Sequence, residues 1–309
     1  MKNFLNLKDI PVRDLKKILF DAKRRKRLRK RLNNLEIDKG EPLKGKLLIQ
    51  MFEKSSLRTR LSFYLAIKQL GGSTLTLRPD ELHLSKGGES IQDTAKILSN
   101  FGNAFMLRTD SDKKLEEFEK YLSIPIINGL SPSSHPTQIL SDIFTVEEIK
   151  NKPISSLNIT WIGDSNNVLN SLIAASIKFS FKLSIGCPTK YQPSKKIMKY
   201  VKSNKNKISI LQDPKKAVKG ADVIFSDKVI SMNDKVNKSK KLSQFKKFKI
   251  NKKLMNLAKK NCIFLHCLPR GKEVEDDVFL SKKSKVWQQA INRVHVQKSI
   301  LLYCFGKLR

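Results

Sequence analysis

Cysteine, histidine, acidic residues and long apolar runs are all scarce in this chain. The four cysteines, Cys187, Cys262, Cys267 and Cys304, lie far apart except for one five-residue step. That spacing leaves neither a disulfide framework nor a CxxC redox or metal motif, so reduced thiols are expected. The four histidines, His83, His135, His266 and His295, show no HxxxH spacing, and a protein without metal is expected. No apolar stretch approaches the roughly 20 residues of a membrane span. The opening MKNFLNLKDIPVRDL mixes charged and apolar residues too quickly to form the core of a secretion signal. An unprocessed, cytoplasmic protein without membrane attachment is the expectation. Against 62 Lys+Arg stand only 28 Asp+Glu, a formal net charge of +34, which would suit a nucleic-acid binder. The lysines are spread along the chain, however, and aromatic residues are not interleaved with basic clusters as stacking platforms. The densest runs, Lys23 to Arg31 and Lys235 to Lys260, read as solvated basic faces, and nucleic acid is not an expected partner.

A length of 309 residues with 39% hydrophobic and 29% charged residues fits a globular chain of two domains. Short runs rich in Ile, Leu, Val and Phe alternate with longer segments of helical period, the pattern of parallel α/β architecture. In the first half, strands are predicted at 46–52, 104–108 and 124–129. Helices are predicted over Ser62–Leu70 and Ser90–Phe101, with a third, long enough to bridge two domains, over 136–149. The polar stretch KNKPISSL marks a boundary. Beyond it strands are predicted at 158–163, 182–187, 208–212, 222–226 and 262–268, with helices beginning near Asn167, Ser194 and Pro214. The expected fold is α/β with two domains, 1–149 and 150–286, each a parallel sheet flanked by helices. A C-terminal helix, 287–309, is expected to pack back on the first domain. No fixed-period repeat is visible.

The stretch FEKSSLRTR, Phe52 to Arg60, lies where a strand gives way to a helix. The first N–H groups of a helix lack intrahelical acceptors and point toward an anion. Ser55, Ser56 and Thr59 add hydroxyls, and Arg58 adds a planar fork suited to phosphate or carboxylate. A phosphate site and an ordinary capped helix start both fit. In NGLSPSSHPTQ, His135 and Gln138 surround Pro136, which is placed to start a helix. There an imidazole and an amide can donate to a carbonyl oxygen, or simply be satisfied locally. Arg108, ending AFMLR, fits either a site or the surface.

WIGDSNNVLNS runs from strand to helix through Gly163, Asp164, Asn166 and Asn167 but lacks GxGxxG, which argues against a dinucleotide. Paired amides there can hold the amino and carboxylate groups of an amino acid. In FSDKVISMN, Asp227 follows a strand and precedes Ser231 and Met232, where a carboxylate can orient an amine. HCLPR carries Cys267 without a glycine-rich elbow, so the thiol reads as a substrate contact rather than a nucleophile. Arg293 on the last helix, taken alone, reads as a helical surface arginine.

In series, these pieces resemble the aspartate/ornithine carbamoyltransferase family, and within it the ornithine branch. SSLRTR is similar to the family's S-T-R-T-R motif, HPTQ is identical to its second motif, and ESIQDTAKILS is similar to the stretch after its swinging loop. GDSNNV, DKVISM and HCLP resemble the branch's ornithine-binding elements, whereas the GDLxxGR and HPLP of the aspartate branch are missing. The matches run in the family's order from about Phe52 to Arg293.

The resemblance implies a first domain that binds carbamoyl phosphate, a second that binds L-ornithine, and transfer of the carbamoyl group to give citrulline and phosphate, without metal or organic cofactor. Ser56, Leu57, Arg58 and Thr59 would hold the phosphate, Arg108, His135 and Gln138 would bind and polarise the carbamoyl group, and Cys267, Leu268 and Arg293 would complete the site. Asn167, Asp227, Ser231 and Met232 would bind ornithine, Asp227 facing its side-chain amine. Arg58, Arg108, His135, Gln138 and Cys267 are the implied catalytic residues. His83, in the loop LHLSKGGES that is one residue longer than typical, is an implied phosphate ligand; reaching a neighbouring subunit's site would require the family's homotrimer, or a multiple of it. Asn233 stands where Gly is usual, Leu57 where Thr is commonest, and AINR replaces AENR. Arg60 is expected to be structural and Lys54 peripheral. Putrescine or an acylated ornithine as acceptor, and a catalytically dead nucleic-acid-binding protein, are the alternatives.

Overall fold

A computed structural model describes residues 1–78, 88–204, 207–230 and 237–308. The chain divides into two compact units, Met1–Phe144 with Ala290–Arg309, and Thr145–Gln289. The first unit contains strands β1 (Leu47–Phe52), β2 (Ser73–Leu77), β3 (Ala104–Arg108) and β4 (Ile126–Leu130). Its helices are α1 (Val12–Leu28), α2 (Leu57–Gln69), α3 (Ile91–Phe101), α4 (Asp112–Tyr121) and the start of α5 (Pro136–Lys150). The strands are all parallel in the order β2-β1-β3-β4, as expected where helices supply the crossovers. Ile49, Met51, Phe105, Leu107 and Ile126 pack with Leu115 and Phe118 of α4 and Leu98 of α3 into one core.

β2 escapes the sequence reading because it is an edge strand, STLTL, with only partial burial, so no continuous apolar run announces it. α1 is obscured by charge. Its buried stripe is Leu15, Ile18, Leu19 and Ala22, at helical spacing. Of the basic run that ends it, Lys23, Arg24 and Arg27 are exposed as expected, but Arg29 is 8% exposed. Arg29 bonds Asp38 at 2.6 Å, while Arg25 bonds Asp21 at 2.8 Å.

The second unit holds β5 (Asn158–Ile162), β6 (Lys182–Gly186), β7 (Ile208–Leu211), β8 (Val223–Asp227) and β9 (Ile263–Cys267). They form a parallel sheet in the order β7-β6-β5-β8-β9. Its helices are α6 (Asn167–Phe179), α7 (Lys195–Ser203), α8 (Pro214–Val218), α9 (Lys238–Phe245), α10 (Lys252–Met255) and α11 (Asp276–Phe279), followed by α12 (Val286–Cys304). Ile224, Phe264, Val278 and Val286 belong to one hydrophobic core of this unit. From Ala290 onward α12 belongs to the first unit. There Asn292 accepts from Lys26 at 2.7 Å, Lys298 donates to Gln69 at 3.2 Å, and Ser299 donates to Asp21 at 2.8 Å. The expected return of the C-terminal helix to the first domain is observed. Among the described residues no helix is long and apolar enough to cross a membrane.

Both sheets reverse their winding beside their first strand, between β1 and β3 and between β5 and β8. Ligands of open parallel sheets lie beyond the carboxyl ends of the strands at such a switch point. The sequence places FEKSSLRTR and Arg108 at the first switch point, and GDSNN and Asp227 at the second.

Lys298 is fully buried and pairs with Asp38 at 2.5 Å, and Asp38 also meets Arg29 at 2.6 Å and Arg25 at 3.4 Å. Burial pushes the Lys298 pKa down to about 8 despite Asp38. Asp38→Ala strips three cations of a common counter-charge and is expected to cost about 3–5 kcal/mol. Lys298→Met leaves Asp38 bound to Arg29 and is expected to cost distinctly less. Urea unfolding at neutral pH separates the two; equal losses would show that Asp38 is no hub.

Candidate active site

At the first switch point, Ser56 takes an extended N-cap conformation (φ −155°) before α2, without a side-chain capping bond. Leu57 begins the helix 71% exposed, Arg58 is half-buried, and Thr59 turns inward at 1% exposure. Phe52, Glu53, Ser55, Ser56, Leu57 and Arg60, together with Thr76, Leu77 and Arg78 at the end of β2, line a cleft of about 450 Å³. Arg60, expected to be structural, is exposed and lines this cleft. Lys54 pairs with Asp110 at 3.8 Å.

Arg108 ends β3 in register with Phe52 of β1. Glu53, which the sequence reading passes over, ties the loops after these two strands together. Its N–H donates to the Arg108 carbonyl at 2.9 Å. Its carboxylate accepts from Thr109 Oγ1 and from the Asp110 N–H at 3.3 Å, and it pairs with Lys114. The geometry of Arg108 is therefore fixed by an acid 55 residues earlier in the chain, a contact that local pattern cannot reveal.

His135 immediately precedes α5 and is 2% exposed. Burial first, then the guanidiniums of Arg293, Arg108 and Arg58, hold its pKa well below the ordinary 6.5. The imidazole is neutral at neutral pH, a donor or acceptor that brings no charge of its own. Arg293, itself 2% exposed, is not the surface arginine that its helix alone suggests. Its guanidinium donates to Thr59 Oγ1 at 2.8 Å and to Gln138 Oε1, while Gln138 Nε2 donates to Asp142 Oδ1 at 2.8 Å. With its oxygen taken by Arg293, Gln138 presents its amide in a fixed orientation. Asp142, one helical turn after Gln138, is a second residue the sequence reading misses. Three arginines around a neutral imidazole make a strongly cationic site suited to a multiply charged anion.

At the second switch point Gly163 directly follows β5 with φ +146°, a conformation that L side chains rarely adopt. Asn166 then caps α6, its Oδ1 accepting from the N–H groups of Val168 at 3.0 Å and Leu169 at 3.1 Å. Its Nδ2 donates to Asp227 Oδ2 at 2.7 Å. Asn167, singled out from the sequence, is the half-buried first residue of the helix, while its neighbour Asn166 makes this contact with the carboxylate. Asp227, at the end of β8, has its pKa pushed up to about 6 by burial, against the opposing pull of His266 and of hydrogen bonds from Lys228 and Asn166. Cys267 is its register partner on β9, half-buried, followed by Leu268, also half-buried. Asp164 pairs with the buried Lys241 of α9 at 2.6 Å.

The residues predicted from the sequence thus gather into two clusters. Ser56, Leu57, Arg58, Thr59, Arg108, His135, Gln138 and Arg293 lie in the first unit, and Asn167, Asp227, Cys267 and Leu268 in the second. His83, Ser231, Met232 and Asn233 lie outside the described residues. Among the described residues no group of three or more His, Cys, Asp or Glu is arranged to hold a metal ion.

Comparison with known proteins gives two domain matches in chain order. Residues 2–148 match the carbamoyl-P binding domain of aspartate/ornithine carbamoyltransferase, and residues 155–304 match its Asp/Orn binding domain. The ornithine carbamoyltransferase of Caulobacter vibrioides is 40% identical over 309 residues, covering 99% of this chain and 98% of its own. Among solved structures, the ornithine carbamoyltransferase of Pyrococcus furiosus is similar with a TM-score of 0.90 and 39% identity, covering 97% of this chain and 96% of its own. The anabolic ornithine carbamoyltransferase of Campylobacter jejuni gives a TM-score of 0.89 and 35% identity, with 99% and 100% covered. Matched in both halves and over nearly its whole length, the chain belongs to the aspartate/ornithine carbamoyltransferase family.

Proposed function

We propose that this chain transfers the carbamoyl group of carbamoyl phosphate to the side-chain amine of L-ornithine, giving L-citrulline and phosphate. The observation that carries the reading is the first cluster: Arg58, Arg108 and Arg293 around a neutral, buried His135. Carbamoyl phosphate is a small dianion with a carbonyl, and this cluster offers it cationic forks, a helix start and neutral donors. Ser56, Leu57, Arg58 and Thr59 would take the phosphate through hydroxyls, backbone N–H groups and the guanidinium of Arg58. Arg108, His135 and the side-chain N–H of Gln138, whose oxygen is held by Arg293, would donate to the carbonyl oxygen.

Ornithine differs from other acceptors in presenting an α-amino acid at one end and a primary amine at the other. Asp227, held by Asn166, is the residue for the side-chain amine, with Asn167, Cys267 and Leu268 around it and Ser231 and Met232 as the further assigned contacts. The neutral amine attacks the carbamoyl carbon and a C–N bond forms. Negative charge grows on the carbonyl oxygen, then passes to the departing phosphate as the C–O bond breaks. Fixed donors stabilise both charges, and the amine's proton leaves with phosphate. Orientation of the bound pair supplies the remaining acceleration.

The reaction belongs to arginine biosynthesis, and we assign the chain the anabolic direction, a cytoplasmic location and a homotrimer or a multiple of it. The exposed stripe of Leu57 (71%), Leu61 (51%) and Tyr64 (42%) on α2 supports self-association through that face. An amine panel tests the acceptor: with carbamoyl phosphate, L-ornithine is expected to give product at least about 100-fold faster than putrescine or N-acetylornithine, because a site built for a second polar end rejects analogues lacking it. Preference for either competitor would refute the assignment.

A further inference from the structure

Helix α1 turns outward a face for which carbamoyl transfer has no use. Over Val12–Leu28 it carries eight Lys and Arg against two Asp. Both acids are buried and engaged, Asp14 by Lys2 at 2.8 Å and Asp21 by Arg24 and Arg25 at 2.8 Å each. At 3.6 residues per turn, the exposed residues of the helix fall within an arc of about 160°, opposite the buried stripe of Leu15, Ile18, Leu19 and Ala22. Arg13, Lys16, Lys17, Lys23 and Arg27 crowd that arc, and Phe20 stands at its centre, 70% exposed. Leu28 lies at its edge, 73% exposed, and the chain just beyond the helix exposes Leu32, Leu35 and Ile37 as well.

A face that met only water would gain nothing from a phenylalanine among its cations, whereas Lys and Arg interspersed with Phe and Leu suit the surface of an anionic bilayer. We propose that the outer face of α1 docks the protein on an anionic lipid surface, its basic side chains meeting the headgroups while Phe20 and Leu28 enter the acyl boundary. The arc runs the length of the helix, about 25 Å, so its cations can meet a planar sheet of charge together. Their long apolar stems let the charges stay at headgroup level while the apolar residues sit deeper. The helix keeps its main apolar stripe for the protein core, so the attachment is peripheral and reversible, held chiefly by charge. A nucleic-acid strand fits this face less well. It calls for a basic groove and successive aromatic platforms, and Phe20 is the sole aromatic residue of a convex helix.

Co-sedimentation with lipid vesicles tests this without any substrate, so the result does not depend on the reaction. At low ionic strength the protein is expected to sediment with phosphatidylcholine vesicles containing about one-third phosphatidylserine, and to stay in solution with phosphatidylcholine alone. Lys16→Gln, Lys23→Gln and Arg27→Gln together are expected to weaken binding about 100-fold, at about fivefold per cation. Phe20→Ser is expected to weaken it about tenfold by removing the apolar anchor. All four side chains are exposed, so both variants should keep the melting temperature of the unmodified protein. Failure to bind the anionic vesicles, binding that survives the triple substitution, or undiminished binding by Phe20→Ser would each overturn the proposal. So would a single-stranded oligonucleotide that binds more tightly per phosphate than the vesicles do and loses that affinity in the triple variant, because the face would then belong to nucleic acid.

Discussion

Arg58→Ala is expected to lower kcat/KM for carbamoyl phosphate by about three orders of magnitude, at the upper end of what one fixed charge-stabilising donor contributes. The size of the effect follows from where Arg58 stands. It is the second residue of α2, half-buried beside the first N–H groups of the helix, and it faces His135 together with Arg108 and Arg293. The buried packing bonds to Thr59 and Gln138 are made by Arg293, so losing Arg58 removes charge from the site without cutting that scaffold. The melting temperature should therefore stay near that of the unmodified protein. Arg58→Lys should recover only part of the loss, because an ammonium offers a point charge where a planar fork is needed. Steady-state kinetics alongside a thermal melt checks the pair of expectations; near-normal turnover in Arg58→Ala would refute the role.

Asp227→Asn is expected to reduce kcat/KM for ornithine by about 10²- to 10³-fold, since truncating one partner of a buried charge pair costs about 2–5 kcal/mol. The KM for carbamoyl phosphate should be unaffected. Stability should move the other way. The folded pKa of Asp227 lies at about 6, above its ordinary 3.8. A raised carboxylate pKa means that stability is lost as pH rises through that window, and above about 6 the buried anion is a standing cost. Removing it should raise the melting temperature at pH 8, a trade of stability for function. The pH profile adds a third signature. As pH falls through about 6, the wild-type protein loses the carboxylate, so kcat/KM for ornithine should steepen by about one further power of ten per pH unit. Asp227→Asn should lack that additional limb, and its presence there would assign the titration to another group.

Much of this was legible in the chain because the site lies at strand ends. A run such as LLIQM followed by SSLRT announces a buried strand, a turn and a helix start by composition alone, and Asn167, Ser194 and Pro214 stand within a residue of their helix starts, whereas α2 begins at Leu57, five residues before the predicted Ser62. What stayed hidden had physical reasons. β2 is an edge strand without a continuous apolar run. α1 and α4 carry so many charges that their buried stripes are hard to separate from a solvated segment. The basic run after Lys23 looks uniform, yet Arg25 and Arg29 turn inward because Asp21 and Asp38 wait there. Within the site, contacts between distant positions were invisible: Arg293 reaches Thr59 across 234 residues and Gln138 across 155. Glu53 escapes the sequence reading for a similar reason: it is a lone acid whose role is set by loops that meet only in the folded chain.

The most direct test is to mix the purified protein with carbamoyl phosphate and L-ornithine and follow citrulline and phosphate together. The account predicts both products in equal amounts, with no metal or organic cofactor added and none formed when ornithine is omitted. Phosphate release without citrulline, or citrulline from neither this amine nor its close relatives, would contradict it.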